Sequence, residues 1–410
     1  MDLRNLPQIT CGKTEITDNM SITAQEKFET IYNKAPVFGG FTPYRICPVG
    51  AHIDHNLGII TGFAIDKGVH IAYSPSYDGK VKVSSLQFEG EKEWDVKQIP
   101  FTKQNDWADY LRGVCIALSK RYEVKTGIIS VISGELPIGG LSSSAAVTIS
   151  FLNALCKVNG ITLSSSEIID ISREAENKYV GVNSGKLDQC CEVYCKKNAL
   201  LTMDLKDDSK QIIPAHPDMK KFDILVFFSG LERCLASSGY NNRVAQLRSG
   251  AYKLLKASGK AVDSPDEANM RFVPYEFFAG NKGILTDDEI KRAEHFFTEM
   301  QRVGRGIAAW KSGDIEAFGA VSRESGESSI NNWEAGSPEL IEMHRIINST
   351  DGIYGGRFSG AGFKGCCMAF ADPSRREEVL AAVQSRYLEA FPYLSEKYTA
   401  CVCSTADGVN

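Results

Sequence analysis

Hydrophobic and polar positions follow two periods along the chain, and the change of period separates predicted strands from predicted helices. Apolar, β-branched runs predict strands, and apolar residues three or four positions apart predict helices. The predicted strands span residues 59–72, 81–88, 127–133 and 222–228. The predicted helices span residues 20–33, 107–120, 145–157, 164–179, 241–257 and 287–310. Residues 352–370 predict a strand, a glycine loop and a second strand. Because strands and helices do not alternate regularly in the first half, the pattern favours the α+β class.

A charged, turn-rich stretch at residues 205–210 interrupts the pattern near the middle of the chain. A chain of 410 residues with 43% hydrophobic content is long enough for two domains with their own cores. We therefore predict an N-terminal domain over residues 1–205 and a C-terminal domain over residues 206–410.

Charge and cysteine content narrow the functional classes. A net charge of −5 argues against a nucleic-acid binder with a general basic surface, but it permits small anionic ligands. The 12 cysteines lack the paired C-x-x-C spacing of a zinc site, which is typical of reduced core cysteines. The sequence shows neither a signal peptide nor an apolar run of membrane-spanning length. We expect a cytoplasmic protein without nucleic-acid or membrane partners, and the oligomeric state stays open.

The segment 134–147, GELPIGGLSSSAAV, lies between a predicted strand and a predicted helix. Gly139 and Gly140 permit close approach of a ligand to the backbone, and the free N–H groups of a helix start favour an anion. This arrangement is typical of a phosphate cradle. A simple turn with a serine helix cap explains the same residues equally well. The segment is not the Gly-x-x-x-x-Gly-Lys-Ser/Thr phosphate loop.

Two further glycine-bearing segments carry candidate chemistry. In residues 44–56, YRICPVGAHIDHN, the side chains of His52, Asp54 and His55 have the spacing of metal ligands, which makes a metal hydrolase an alternative. The remaining histidines offer no companion motif, so a polar binding loop is favoured. Residues 360–365 match G-x-G-x-x-G but occur late, between two predicted strands. A tight hairpin or a loop packing against the phosphate cradle fits this position better than a dinucleotide site.

These three segments, in this order, resemble the three motifs of the GHMP small-molecule kinases. Residues 105–114, 185–189 and 240–243 are similar to the galactokinase branch in particular. The resemblance implies an N-terminal fold like ribosomal protein S5 domain 2 and a ferredoxin-like C-terminal fold, with the active site in the cleft between them. It also implies transfer of phosphate from ATP, with Mg²⁺, to the anomeric hydroxyl of a sugar.

The resemblance assigns roles to individual residues. Asp188 stands beside the anomeric hydroxyl as base or orienting group, with Arg45 as its cationic partner. Ser144 and Glu176 hold Mg²⁺. The implied ATP-binding residues are Gly139, Gly140, Leu141, Ser142, Ser143, Ser144 and Ala145. The third glycine motif comprises Ser359, Gly360, Ala361 and Gly362. The implied sugar-binding residues are Ala51, His52, Asp54, Gly185 and Tyr240.

The sequence departs from the galactokinase pattern at two places. The loop between Pro137 and Gly140 is one residue shorter, which puts the phosphate contacts of Ile138 and Gly139 in doubt. At position 51, where galactokinases carry a glutamate that receives the sugar's C6 hydroxyl, this chain carries Ala51. A carboxylate there would repel a second carboxylate, so its loss indicates a substrate oxidised at C6, namely galacturonate. Several segments also resemble plant-type galacturonokinases.

Three alternatives remain at this stage. The preferred function is phosphorylation of D-galacturonate to galacturonate 1-phosphate, the close alternative is galactokinase activity, and a non-catalytic sugar sensor is the alternative from another class. The cation facing the C6 carboxylate is left open among four candidates: Arg233, Arg243, Lys186 and protonated His55. Trp107 and Tyr110 are interpreted as core aromatics rather than nucleotide contacts.

Overall fold

A computed structural model describes residues 23–231 and 239–409. Two β-sheets, each covered by helices, organise these residues. Strands and helices are interspersed without a regular βαβ order, as the α+β prediction requires.

The larger sheet is built around one long strand, β2. Its path runs β4-β3-β5-β2-β6-β7, and β1 and β12 also pair with β2. The strands are β1 (Phe38–Ile46), β2 (Ile59–Ser76), β3 (Lys80–Ser85), β4 (Lys92–Asp95), β5 (Gly127–Gly134), β6 (Ala199–Asp204), β7 (Ser209–Pro214) and β12 (Thr405–Ala406). Apart from the parallel β3–β5 pair, the neighbouring strands run antiparallel.

Five helices belong to this first part: α1 (Ala24–Tyr32), α2 (Asp109–Ser119), α3 (Ser143–Asn159), α4 (Ser165–Glu174) and α5 (Leu187–Tyr194). Helix α4 continues into a π-helical turn over Ala175–Val180. Helix α3 contacts α2, α4 and the sheet, and its fully buried Phe151 and Leu155 belong to the core that also contains Phe63 of β2. The apolar spacing that predicts helices in this part of the chain thus follows from burial against the sheet.

The smaller sheet has the order β11-β8-β10-β9, and all its pairs are antiparallel. Its strands are β8 (Asp223–Phe228), β9 (Ile353–Phe358), β10 (Cys366–Ala371) and β11 (Thr399–Cys403). Its helices are α6 (Tyr240–Ala257), α7 (Tyr275–Gly280), α8 (Asp287–Lys311), α9 (Ile315–Asn331), α10 (Pro338–Ile347) and α11 (Arg376–Ala390). Short 3₁₀ turns span Asp54–Asn56, Met270–Phe272, Lys282–Ile284, Pro373–Arg375 and Pro392–Leu394.

Both faces of the smaller sheet are buried. Val226 and Phe228 of β8 join the core that is shared with the larger sheet, whereas Leu225 and Phe227 join a second core formed with the helices. Successive side chains of a strand point to opposite faces, so burial on both faces requires an uninterrupted apolar run. This is the physical reason for the continuous apolar signal at residues 222–228.

Two local features differ from the sequence pattern. The helix predicted over 164–179 divides into α4 and the π-turn, and the sequence pattern did not predict α5, α7, α9, α10 and α11. The division at residue 205 stays a prediction, and two strands beyond it, β7 and β12, lie in the larger sheet. Within the described ranges, the cysteines are reduced, and no helix is both long and apolar enough to cross a membrane.

Candidate active site

A cavity of about 520 Å³ brings together the three glycine-bearing segments. Its walls carry residues from the 44–54 segment, the serine loop, the π-turn and the start of α5, together with Tyr240, Gly360 and Ala361 from the part of the chain that forms the smaller sheet. Of the predicted site residues, Leu141, Ala145, Ser359 and Gly362 do not line it. Leu141 and Ala145 are buried in the core. Ser359 and Gly362 belong to the third glycine motif, in which Ser359 is fully buried and a Cβ on Gly362 would stand 3.0 Å from the Phe358 ring.

The serine loop owes its shape to glycine. Gly139 and Gly140 have φ angles of +138° and +88°, which strongly favour glycine. A Cβ on Gly140 would stand 2.5 Å from Cys366 Sγ, and a Cβ on Gly365 would stand 2.7 Å from the Gly139 carbonyl carbon. Residues 360–365, which join the paired strands β9 and β10, therefore form a hairpin loop that packs directly against the serine loop.

The start of α3 differs from an ordinary serine-capped helix. Ser142 occupies the N-cap position with φ +60°, its side chain makes no capping hydrogen bond, and its buried hydroxyl has no protein partner. The serine-cap interpretation therefore does not describe this loop. Ser142, Ser143 and Ser144 line the cavity at a helix start, where backbone N–H groups and hydroxyls suit an anion.

Arg45 and Asp188 form an ion pair at the centre of the cavity. The Nε and Nη2 atoms of Arg45 donate to Asp188 Oδ1 at 2.8 and 2.6 Å, and Nη1 donates to the Gly140 carbonyl at 3.1 Å. A register shift in the β1–β2 pairing between Pro43 and Arg45 helps to set the direction of the Arg45 side chain. Burial opposes the charge of Arg45, but the charge and hydrogen bonds of Asp188 outweigh it and raise the pKa of the guanidinium. The Asp188 side chain is 28% exposed and reaches the cavity.

Glu176 lies on the π-turn, beside this ion pair. Its Oε2 accepts a hydrogen bond from Gln189 at 2.7 Å, and it is also hydrogen-bonded to Ser144. Burial, followed by the negative charge of Asp188, raises the pKa of Glu176 to about 7. The buried Oε1 of Gln189 and both carboxylate oxygens of Glu192 have no protein partner. A hydroxyl and a carboxylate in contact, next to further oxygen atoms, form a donor set that suits a hard cation such as Mg²⁺.

All five predicted sugar-binding residues line the same cavity. Asp54 Oδ2 accepts the Leu187 N–H at 3.3 Å, and a Cβ on Gly185 would stand only 2.3 Å from the same oxygen. Glycine at position 185 thus allows Asp54 to approach the start of α5. Burial, followed by the charge of Asp188, raises the pKa of Asp54 to about 6.

His52 and His55 pack in an aromatic cluster rather than around a metal. The His52 ring stacks on Trp333 with centroids 5.3 Å apart and an interplanar angle of 6°, and His55 contacts Tyr240 edge-on. Burial lowers the pKa of both histidines, that of His55 to about 3, so both are neutral near pH 7. Among residues 23–231 and 239–409, no group of three or more histidine, cysteine or carboxylate side chains is arranged for a metal ion. The metal-hydrolase alternative therefore receives no support there.

Helix α8 holds the backbone of residues 49–52, which include two predicted sugar-binding residues and are named the sugar-binding loop after that prediction. Glu299 Oε1 accepts the Gly50 N–H at 2.7 Å. His295 Nε2 lies 3.0 Å from the Ala51 carbonyl, which can only accept, so this nitrogen carries the proton. Its Nδ1 lies 2.9 Å from the Ser328 hydroxyl. No local sequence signal predicts the contacts of Gly50 with Glu299 and of Ala51 with His295, because each joins residues more than 240 positions apart.

The candidate cations for a C6 carboxylate are largely engaged elsewhere. Lys186 forms ion pairs with Asp170 and Asp208, and Arg243 donates to the carbonyls of residues 239, 333 and 334. His55 is neutral, and Arg233 lies outside the described residues.

Two aromatic side chains extend the cavity beyond the serine loop. Trp107 stacks on Phe88 with centroids 5.6 Å apart and an interplanar angle of 8°, and Phe88 is 42% exposed. Both rings and Tyr110 line the cavity. Trp107 also packs against the core, so it combines the core role given in the sequence analysis with a place in the cavity wall.

Fold and cavity together define a class: a two-domain small-molecule kinase. Residues 109–196 match the family described as GHMP kinases N terminal domain, residues 307–389 match GHMP kinases C terminal, and residues 26–75 match the galactokinase galactose-binding signature. The chain belongs to the galactokinase branch of the GHMP kinase family and is a sugar kinase, a phosphotransferase with an alcohol acceptor. The family and fold predictions are confirmed.

Known proteins resemble the chain over most of its length. It is 40% identical to the galacturonokinase of Arabidopsis thaliana over 370 residues, which cover 85% of this chain and 87% of the relative. It is 30% identical to the galactokinase of Lactobacillus helveticus, over 95% of this chain and 97% of that protein. The crystal structure of Lactococcus lactis galactokinase complexed with galactose matches with a TM-score of 0.84 at 26% identity, covering 94% of this chain and 97% of that one.

Proposed function

We propose that the protein transfers the γ-phosphoryl group of ATP to the anomeric hydroxyl of D-galacturonate, giving galacturonate 1-phosphate and ADP. The observation that carries the choice of sugar is Ala51 in the cavity wall, where a glutamate would repel a carboxylated substrate. The higher identity to a galacturonokinase, 40%, than to the galactokinase of Lactobacillus helveticus, 30%, supports the same choice. Galactokinase activity is the second candidate, favoured by the galactose-binding signature at residues 26–75.

The proposed roles of the central ion pair follow from its geometry. Arg45 binds one oxygen of Asp188 twice and thereby fixes the orientation of the carboxylate, which reaches the cavity. A carboxylate held in this way accepts a hydrogen bond, and then the proton, from the sugar hydroxyl as that hydroxyl attacks the γ-phosphorus. The guanidinium also stabilises negative charge that develops between the sugar oxygen and the phosphate.

The part of the cavity around the serine loop is proposed to hold the nucleotide. The N–H groups at the start of α3 and the glycine backbone at 139–140 bind the phosphates, and the stacked pair of Trp107 and Phe88 offers a flat apolar wall for the base. Ser144 and Glu176 would hold Mg²⁺. When bound, the ion supplies positive charge to the phosphate oxygens. At the sugar end, His52, Asp54, Gly185 and Tyr240 bind the ring, with Asp54 accepting from O3 or O4.

A coupled assay of ADP release with galacturonate, galactose and no sugar tests this proposal. We expect turnover with galacturonate to exceed turnover with galactose by at least about tenfold in kcat/KM, and NMR of the product to place the new phosphate on C1. Equal or higher kcat/KM with galactose would replace the proposal by its second candidate. Sugar binding without any ADP release would leave the non-catalytic sensor.

A further inference from the structure

A group of buried charges lies behind the sugar-binding loop. Glu299 and Arg302 of α8 are in contact, with Nε and Oε2 2.7 Å apart, and Arg357 Nη1 lies 3.6 Å from Glu299 Oε1. Glu299 and Arg357 are fully buried, and Arg302 is nearly so. Burial opposes ionisation of Glu299, but the neighbouring guanidinium ions of Arg302 and Arg357 outweigh it and lower its pKa to about 2. Burial lowers the pKa of the adjacent His295 to about 4, so this imidazole is neutral near pH 7 and adds no charge. The group therefore contains two guanidinium ions and one carboxylate, which leaves one positive charge in excess.

This group is joined directly to the cavity wall. The oxygen of Glu299 that faces Arg357 also accepts the Gly50 N–H at 2.7 Å. This oxygen therefore links the Arg357 guanidinium to the backbone of the sugar-binding loop. Hydroxyls of Ser325 and Ser329 accept from Arg357 on its other sides and hold it in this position.

The excess charge acts toward one end of the cavity. Arg357 is the strongest charged influence on His52, which lies in the cavity wall beside Ala51. Asp54 has Asp188 as its main charged neighbour, and its pKa is raised rather than lowered. Arg45 is paired with Asp188 in direct contact. The main charge acting on His52 thus comes from Arg357 of the buried group, whereas the main charge acting on Asp54 comes from Asp188.

We infer that the Ala51–His52 end of the cavity is a carboxylate subsite, charged by the buried Glu299–Arg302–Arg357 group and completed by the carboxylate of the substrate. The inference rests on the proposed function and names the residues that set its specificity. His52 lines the cavity, and its Nε2, which is buried and has no protein partner, is a polar atom available to such a carboxylate. Recognition thus acts through the field of a buried cluster and a neutral imidazole, in place of a salt bridge to a surface cation.

Two substitutions that change the charge of the buried group in opposite directions test this subsite. Glu299→Gln keeps an oxygen for Gly50 and raises the excess charge by one, whereas Arg302→Gln lowers it by one. We expect the ratio of kcat/KM for galacturonate to that for galactose to rise about tenfold in the first variant and to fall about tenfold in the second. If the buried group had a purely structural role, kcat/KM would fall for both sugars together in both variants.

Arg305→Gln is the matched control, because Arg305 lies on the same helix, is 54% exposed and pairs with Glu324 outside the group. In this variant, the ratio of kcat/KM for galacturonate to kcat/KM for galactose should stay within about twofold of the wild-type ratio. If Arg302→Gln does not fold, the double variant Ala51→Glu with Glu299→Gln, which restores the wild-type charge, should recover galacturonate activity lost in Ala51→Glu alone.

Ratios that move in the same direction in Glu299→Gln and Arg302→Gln, or that stay at the wild-type value in both, would overturn the subsite while leaving the proposed function intact. A wild-type enzyme that prefers galactose would instead remove the proposed function, and the subsite with it. Failure of the subsite is therefore measured in the variants, and failure of the proposed function is measured in the wild-type enzyme.

Discussion

The part of the cavity proposed to bind the sugar, its sugar end, is held by side chains, whereas the part proposed to bind the phosphates, its phosphate end, is held by backbone. Glu299 and His295 of α8 bind the backbone at Gly50 and Ala51. At the phosphate end, Gly139 and Gly140 pack against residues 360–365 with no room for a Cβ between the two loops.

The two constructions permit different kinds of change. A side chain that supports a loop can be replaced while the loop survives, so the sugar end can change its specificity. Backbone-to-backbone packing at glycine accepts almost no substitution, so the phosphate end keeps one shape. Asp188 and Arg45 stand between the two ends, and Arg45 touches both through Asp188 and the Gly140 carbonyl.

The largest expected effect is on the group that serves both ends. Asp188→Asn should lower kcat by about 10³ with either sugar, because the amide cannot accept the proton of the hydroxyl. The coupled ADP assay measures this loss, and calorimetry should show that the variant still binds sugar. Asp170→Asn, at an aspartate that pairs with Lys186 on the surface, is the control and should keep full activity. A loss confined to one sugar would contradict the shared role.

The next largest effect tests the backbone end. In Gly140→Ala, the new Cβ would meet Cys366 Sγ at 2.5 Å at a φ of +88°, so the serine loop must shift. A displacement of this size should lower kcat/KM for ATP by about 10² without changing the preference between sugars. Gly90→Ala is the matched control, because Gly90 also has a positive φ, +79°, but has nothing within 4 Å of an added Cβ. A changed sugar preference in Gly140→Ala would break the distinction between the ends.

Ala51→Glu tests the side-chain end. The added carboxylate would repel a carboxylated substrate. Repulsion between two unit charges a few ångströms apart in a partly buried site corresponds to a decrease of about 30-fold in kcat/KM for galacturonate. The kcat/KM for galactose should fall much less. Steady-state kinetics with both sugars measures the two effects, and thermal unfolding controls for misfolding. Parallel losses with both sugars would refute the electrostatic argument.

The smallest effect concerns pH at the sugar end. Burial and the nearby charge of Asp188 raise the pKa of Asp54 to about 6, above its ordinary value of 3.8. The folded protein holds this proton more tightly than the unfolded chain, so the contribution of Asp54 to stability is lost as pH rises through about 6. Sugar binding depends on pH in the opposite direction, because the ionised carboxylate of Asp54 is the form that accepts hydrogen bonds from sugar hydroxyls. The KM for the sugar should therefore fall about tenfold from pH 5 to pH 7 in the wild-type enzyme. In Asp54→Asn, the KM should be the same at both pH values.

Local signals predicted much of the scaffold and of the cavity wall. The apolar run at 222–228 and the helical spacing after Ala145 reflect burial of residues close in sequence, and both elements are present. The glycines at 139 and 140 indicated an unusual backbone, and their φ angles are positive. Ser144 and Glu176, assigned by resemblance, are in contact.

Other features depend on contacts that no local pattern encodes. The bonds from His295 and Glu299 to the sugar-binding loop join distant parts of the chain, and Trp333 stacks on His52 from a similar distance. Burial of two arginines around one glutamate is visible only when α8 and β9 are packed together. The sequence pattern at 287–310 predicts a helix, but not which buried charges it carries toward the cavity.

The pairing of β12 with β2 bears on how the protein is made. Thr405 and Ala406 pair with Ile65 and Ala64 in the larger sheet, and the Val409 N–H donates to the Glu192 carbonyl on the helix that carries Asp188. Closing this sheet must wait until the ribosome has released residues made more than 300 positions after β2. The emerging N-terminal half therefore stays incomplete throughout most of translation, and its active-site helix receives its last backbone partner only when synthesis of this segment is finished.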